Sequence, residues 1–194
     1  YEALRKKSRG KFSMVKFAQL KTLAKNTVGR SDAFLLKQME ITIDIENQLD
    51  AKIDEIESQI LECIRALNPP ILTIPGIGEL TAAIILSEYG NINKFENPAQ
   101  LLSFAGLEPG YYQSGLAEHQ GHMVKHGSSH LRYALMNACL PLITYEPVFA
   151  EYYAKKRAEG KPHRVALTHV AKKLLRVIFT LQTKNISYDP TLIR

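Results

Sequence analysis

Tryptophan is absent and cysteine nearly so: Cys63 and Cys139 are the only two, and they stand far apart. That excludes a disulfide framework and a CxxC metal site, and it makes a reducing cytoplasm the expected setting. No apolar run approaches the roughly 18 residues of a membrane-spanning helix and no signal peptide is visible, so no membrane partner is expected. The first residue is Tyr1 rather than methionine, from which more protein is expected ahead of it. Strand signals are weak throughout. Paired carboxylates for a two-metal nuclease are also missing: Asp44, Glu46, Asp50, Asp54, Glu55 and Glu57 crowd one stretch, where their usual role is a solvated face. No metal ligands are assigned. Neither proline nor glycine occurs from Asp32 to Leu67, which leaves that stretch without a helix breaker.

What is present is ordinary for a folded protein but uneven in charge. The 194 residues are 45% hydrophobic and 23% charged, enough for one good core, or a small domain with an arm. The net charge of +6 comes in blocks. Residues 1–30 carry nine Lys or Arg against Glu2 alone, whereas residues 31–68 carry three basic and nine acidic side chains. A basic arm beside an acidic helix suits a polyanion as the arm's partner; a solvated basic surface is the alternative. Within the arm, Phe12, Val15 and Leu20 fit one helix face and Lys16, Lys21 and Lys25 another. Residues 1–31 read as the basic remnant of a preceding domain.

Residues 32–68 read as one long coiled-coil helix. A heptad frame runs through Leu35, Met39, Thr42, Glu46, Leu49, Ile53, Ile56, Ile60, Cys63 and Leu67; eight of these ten are apolar, and the defects fall together at Thr42 and Glu46. Such a seam favours pairing with a second helix or chain over a helix lying on its own domain. Pro69 and Pro70 stop it. Residues 69–194 then read as a helical domain. A helix is expected at Ala99–Ala105, closed by Gly106. Another is expected at Leu131–Leu140, capped by Ser128 or Ser129 and ended by Pro141. A charged helix follows at Glu151–Lys161. The last helix runs from His163 to about Thr183, with Val165, Leu167, Val170, Leu174, Leu175, Ile178 and Leu181 on its apolar face and Lys172, Lys173 and Arg176 solvated. The expected fold class is mainly α: a long coiled-coil helix, then a compact helical domain containing a helix-hairpin-helix.

The segment Leu72–Gly90, LTIPGIGELTAAIILSEYG, carries that hairpin. Pro75 ends what precedes it, and Gly76 and Gly78 bracket Ile77 so that the backbone can bend tightly and come close to a partner. A helix starts near Glu79, and the free N–H groups of its first turn, with the positive end of its dipole, suit a phosphate. Gly76, Ile77 and Gly78 are therefore candidate DNA-binding residues that grip backbone without reading bases. The alternative is a corner that only packs core.

Candidate chemistry sits in LEPGYYQSGLAEHQGHMVKHGSSHLRYAL, a long segment expected to be irregular and hence functional or disordered. A serine beside a glycine, Ser114–Gly115, can be presented to a substrate, but serine needs a base or strong charge stabilisation nearby. His119, His122, Lys125, His126, His130 and Arg132 are the nearby candidates, and Lys125 and Arg132 suit a phosphate whose oxygens gain charge on attack. The four histidines are spaced three, four and four apart, but Gly121 and Gly127 interrupt any helix through them; phosphate contact or surface polarity is preferred to zinc.

IPGIGELTAAIILSEYG, FENPAQLLSFAGLEP, the SG pair, the pattern G-x-x-x-K-x-G-x-x-x-L-R (Gly121, Lys125, Gly127, Leu131, Arg132) and GKPHRVALTHVAKKLLRVI together resemble the C-terminal half of the bacterial insertion-sequence transposases guided by a bridge RNA. These combine a RuvC-like domain bearing four acidic residues with a serine-bearing transposase domain. The resemblance implies a DNA transposase or recombinase in which Ser114 aligns with the nucleophile that links covalently to a DNA phosphate; Lys125 and Arg132 match basic positions, with phosphate contact inferred from their charge. It implies DNA and a guide (bridge) RNA as partners, and a homo-oligomer, here through the 32–68 helix, in which the serine of one subunit works beside the acidic site of another. Mg2+ is expected in the RuvC-like domain, which would lie ahead of Tyr1. No cofactor is expected in this fragment, which should be inactive alone. The loop EHQGHMVKHG carries histidines where the family would carry Arg and Lys. The remaining alternative is a DNA/RNA-binding and oligomerisation module without chemistry.

Overall fold

The computed structural model describes every residue except Arg9, Arg30, Ser31, Gly115, Leu116, Val124, Lys125 and Arg194, and for 109–114, 117–123 and 192–193 it describes backbone alone. The fold is mainly α, as the sequence predicts, with one two-stranded hairpin. The chain divides into two compact units, Tyr1–Lys52 and Ile53–Arg194, and the division falls inside a helix.

The first unit holds α1 (Glu2–Lys7), α2 (Met14–Lys25) and the early turns of α3 (Ala33–Leu67). The starts of α2 and α3 have local causes. Ser13 accepts the Lys16 N–H at 3.3 Å ahead of α2, and the Asp32 carboxylate accepts the Phe34 N–H at 2.8 Å ahead of α3. Lys7 Nζ lies 3.4 Å from Glu46 and 3.6 Å from Asp50 on α3, and the rings of Tyr1 and Phe17 are 5.6 Å apart. None of the described residues of this unit is buried.

The second unit holds the core. The last turns of α3 bury Ile64, while the seam residues Ile53, Ile56, Ile60, Cys63 and Leu67 stay exposed. Next come a 3-10 turn (Pro70–Thr73), α4 (Glu79–Tyr89), a second 3-10 turn (Ile92–Lys94) and α5 (Pro98–Phe104). Asn97 caps α5, accepting from Ala99 and Gln100, with Pro98 in its first turn. Helix α6 (Ser129–Tyr145) buries Leu131, Ala134, Leu135, Ala138, Cys139 and Leu142 at helical spacing. It runs through Pro141, where the sequence predicts an end. A proline inside a helix forfeits a hydrogen bond and costs about 3 kcal/mol; the buried neighbours Ala138, Cys139 and Leu142 hold that turn in place. Helix α7 (Pro147–Ala158) starts earlier than predicted because Glu146 caps it, accepting the Val148 N–H at 3.3 Å. Helix α8 (His163–Lys184) packs on α5, α6 and α7. Its predicted apolar positions are buried apart from Val165, which is 42% exposed. Asn185 ends it in a left-handed conformation at φ 50°, and the tail returns so that Tyr188 N–H donates to Thr73 Oγ1 at 2.7 Å.

The segment expected to be irregular is a hairpin of β1 (Pro109–Ser114) and β2 (Ala117–Met123), antiparallel, with Tyr111 opposite Gln120, Tyr112 opposite His119, Gln113 opposite Glu118 and Ser114 opposite Ala117. The register shifts between Pro109 and Tyr111. Cross-strand pairing satisfies backbone groups without any apolar alternation, so the period-two signal that betrays most strands is missing. Among the described residues no helix is long and apolar enough to cross a membrane.

Candidate nucleic-acid site

The glycine corner comes first. Gly76 has φ +86°, a conformation that L side chains rarely adopt, and a Cβ added there would lie 3.1 Å from the Pro141 carbonyl carbon and 3.2 Å from the Leu142 nitrogen. Gly76 thus lets the corner sit directly on the backbone of α6. Ile77 turns its side chain into the core, at 7% exposed. The packing role that the sequence left as an alternative is therefore present at both positions. Gly78 differs: it is exposed, a Cβ there would meet nothing within 4 Å, and it occupies the cap position of α4 with no side-chain cap.

The first turn of α4 carries its own charges. Arg65 donates twice to Glu79, Nε to Oε1 at 2.8 Å and Nη2 to Oε2 at 2.7 Å. Those hydrogen bonds, helped by the Arg65 charge and opposed by partial desolvation, hold the Glu79 carboxyl below its ordinary range. A carboxylate at a helix N-terminus already complements the dipole, and its pairing with Arg65 offsets the repulsion an incoming phosphate would meet.

The hairpin's root is tightly constrained. Gly106 closes α5 at φ +64°. A Cβ on Gly127 would overlap the Phe104 carbonyl and the Gly106 amide, so only glycine fits. The next residue donates its backbone N–H to that same Phe104 carbonyl at 2.7 Å. Its side chain, Ser128 Oγ, donates to Glu88 Oε2 of α4 at 2.6 Å and accepts the Leu131 N–H at 3.0 Å, capping α6. Arg132, half-buried in the first turn of α6, donates from Nη1 to the Ala105 carbonyl at 3.1 Å, satisfying a carbonyl at the end of α5. Backbone, cap and guanidinium together fasten the two ends of the segment that carries Ser114.

Ser114 is the last residue of β1, three residues before its cross-strand partner Ala117. Lys125 lies outside the described residues, as do the side chains of His119 and His122. Arg132 is placed at the root and Gly76 against Pro141, nine residues along α6, or about 14 Å of helix. The two regions picked from the sequence are thus brought onto one helix, at its opposite ends. Sequence reading missed Glu88, and it assigned Ser128 only a capping role; nothing in their local spacing announces a pairing across forty positions. Among the described residues no group of His, Cys, Asp or Glu is arranged to hold a metal ion.

Residues 68–154, from the end of α3 into α7, match the model of the transposase IS116/IS110/IS902 family. They form a transposase domain of that family. The chain is 32% identical over 136 residues to the insertion element IS110 uncharacterized 43.6 kDa protein of Streptomyces coelicolor, covering 69% of this chain and 34% of that protein. It is 30% identical over 151 residues to the pilin gene-inverting protein of Moraxella bovis, covering 75% and 46%. It is 28% identical over 157 residues to the transposase for insertion sequence element IS1111A of Coxiella burnetii, covering 79% and 41%. The chain spans less than half the length of these curated relatives. The matched segment contains the glycine corner, the hairpin and all of α6, and stops short of α8.

Proposed function

We propose that this transposase domain supplies the nucleophile for DNA strand exchange, with Ser114 as the attacking residue. The observation that carries the reading is the hairpin: a serine three residues from its cross-strand partner, on a ribbon whose root is fixed by Gly127, Ser128 and Arg132, inside the segment that matches the transposase family. In the step, the serine oxygen bonds to phosphorus as one sugar–phosphate bond breaks. The serine proton passes to a base and the leaving sugar oxygen takes up a proton, so one phosphodiester replaces another and a strand's hydroxyl can reverse the exchange. Lys125 and the remaining N–H groups of Arg132 suit the charge that builds on the phosphate oxygens. Gly78 and the uncapped turn of α4 suit a resting phosphate; Gly76 and Ile77 hold that turn in place and reach DNA through backbone alone.

The same reading assigns the rest to a longer protein: a RuvC-like domain with Mg2+, a bridge RNA as guide, and a cytoplasmic setting. It also assigns a homo-oligomer to α3. Leu49, Ile53, Ile56 and Leu67 are each more than half exposed, and within the second unit a groove of about 570 Å³ runs between the last turns of α3 and α4, lined by Ile56, Ile60, Cys63, Leu67 and Ile84. A seam of that composition is covered by a second helix. The test is trapping of a phosphoserine adduct on nicked target DNA by the full-length protein. Ser114→Ala should abolish both adduct and recombination. Recombination that survives this substitution would leave the alternative, a DNA/RNA-binding and oligomerisation module without chemistry.

A further inference from the structure

Mostly beyond the segment matched by the family, which ends at residue 154 within α7, the corner made by α7, the turn after it and α8 concentrates positive charge. Eight Lys or Arg and two Glu lie between Glu151 and Arg176. Glu159 is occupied: Lys156 Nζ sits 2.9 Å from both of its carboxylate oxygens. Among the described residues no carboxylate forms an ion pair with Lys161, Lys172 or Arg176; Lys161 and Arg176 are exposed and Lys172 half-buried. These groups act as one field. His169 is held below its ordinary pKa first by burial and then by Lys172, Lys156 and Lys161, with Glu159 opposing. The Lys172 ammonium is held down by burial and then by Arg176, with Glu108 opposing. His169, Lys172 and Arg176 follow at i, i+3 and i+7, one line of about 10 Å along α8. A protein-binding surface would carry an apolar centre, whereas the line here runs from Val165 through His169 to the cations Lys172 and Arg176.

We infer that Lys161, His169, Lys172 and Arg176 form a further docking surface for the phosphate backbone of duplex DNA, additional to the glycine corner. This rests on the reading that the domain handles DNA, and it extends that reading to a part of the chain the family match does not reach. The contact is independent of sequence and supplies affinity and orientation.

The test uses this 194-residue chain, a fluorescent DNA duplex of about 30 base pairs, and anisotropy across a salt series. Lys161→Gln, Lys172→Gln and Arg176→Gln together should weaken binding at low salt by about tenfold or more and make the log–log salt dependence shallower by about 2 to 3 units, since each phosphate contact contributes about 0.9. A control that removes the same charge elsewhere, Lys37→Gln, Lys52→Gln and Lys184→Gln, should change affinity by less than about twofold. Equal losses in both triple variants would reduce the effect to net charge and overturn the inference. So would a loss seen with an RNA duplex or an acidic peptide and not with DNA. Binding by the wild type that the first triple variant leaves intact overturns this surface alone; no DNA binding by the wild type overturns it together with the reading beneath it. Should the triple variant melt early, the wild type still decides: added DNA should raise the His169 pKa in an NMR titration, and an unmoved His169 rejects the surface.

Discussion

Tyr1–Lys52 and Ile53–Arg194 use similar side chains to opposite effect. The second unit buries a continuous cluster from Ile71 to Leu181. The first has Leu20, Leu23, Phe34, Leu36, Met39 and Ile43 and buries none of them. Helices alone do not recover the entropy of ordering a chain; packing of an apolar face does. The second unit therefore has the means to fold by itself. The first leaves these large apolar side chains exposed. Apolar content is similar in the two; the difference lies in tertiary placement and in the larger share of charged residues in the first.

The largest difference in stability is expected from a matched pair of truncations. Leu135→Ala, at a fully buried position, should cost about 2–5 kcal/mol in chemical denaturation. Leu36→Ala, at a side chain 53% exposed, should cost less than about 0.5 kcal/mol in dilute solution. A loss at Leu36 that grows with protein concentration would show a second chain covering it; equal losses at any dilution would contradict the division drawn here. Next in size is Gly127→Ala. The added methyl overlaps the Phe104 carbonyl and the Gly106 amide, and about 1–3 kcal/mol or more should be lost in a thermal melt. Full stability of that variant would mean the hairpin root is loose.

Gly76 and Gly78 divide fold from function. Gly76→Ala should destabilise by about 1–3 kcal/mol, from its φ of +86° and the close backbone of Pro141 and Leu142. Gly78→Ala, with open space around its Cβ but at the cap of α4, should cost about 0.5–1 kcal/mol, since alanine caps less well than glycine. A fall in DNA affinity at Gly78 larger than this loss of stability explains would locate the contact at the cap of α4; unchanged affinity would reduce the corner to packing. The smallest effect is chemical. Burial pushes the Cys139 thiol up to about 12 while Cys63 is exposed. A disulfide reagent at mildly alkaline pH should thus label one thiol per folded chain, at Cys63. Labelling that slows as concentration rises would place Cys63 in the paired seam, and rapid labelling of both thiols would contradict the packed α6.

Helix periodicity wrote most of the second unit into the sequence. The glycine-free run announces α3, PGIG announces the corner and the start of α4, Ser128 announces α6, and the apolar positions of the last helix announce α8. Two features escaped. The hairpin lacks alternation, and only Tyr111–Tyr112 followed by Ser114–Gly115 hints at a strand and turn. Pro141 reads as a stop because local propensity counts its missing N–H, whereas the packing of Ala138, Cys139 and Leu142 is not local.

By itself the sequence determined which segments are helical, where several of them begin, and the order of motifs shared with a transposase family, because capping and helical spacing act within a few residues. Only the tertiary structure decided that Gly76 faces Pro141, that Ser128 reaches Glu88, that Arg132 holds the Ala105 carbonyl, and that the α3 seam stays in water. Those outcomes depend on which surfaces remain once distant elements have packed, and that is a property of the fold as a whole.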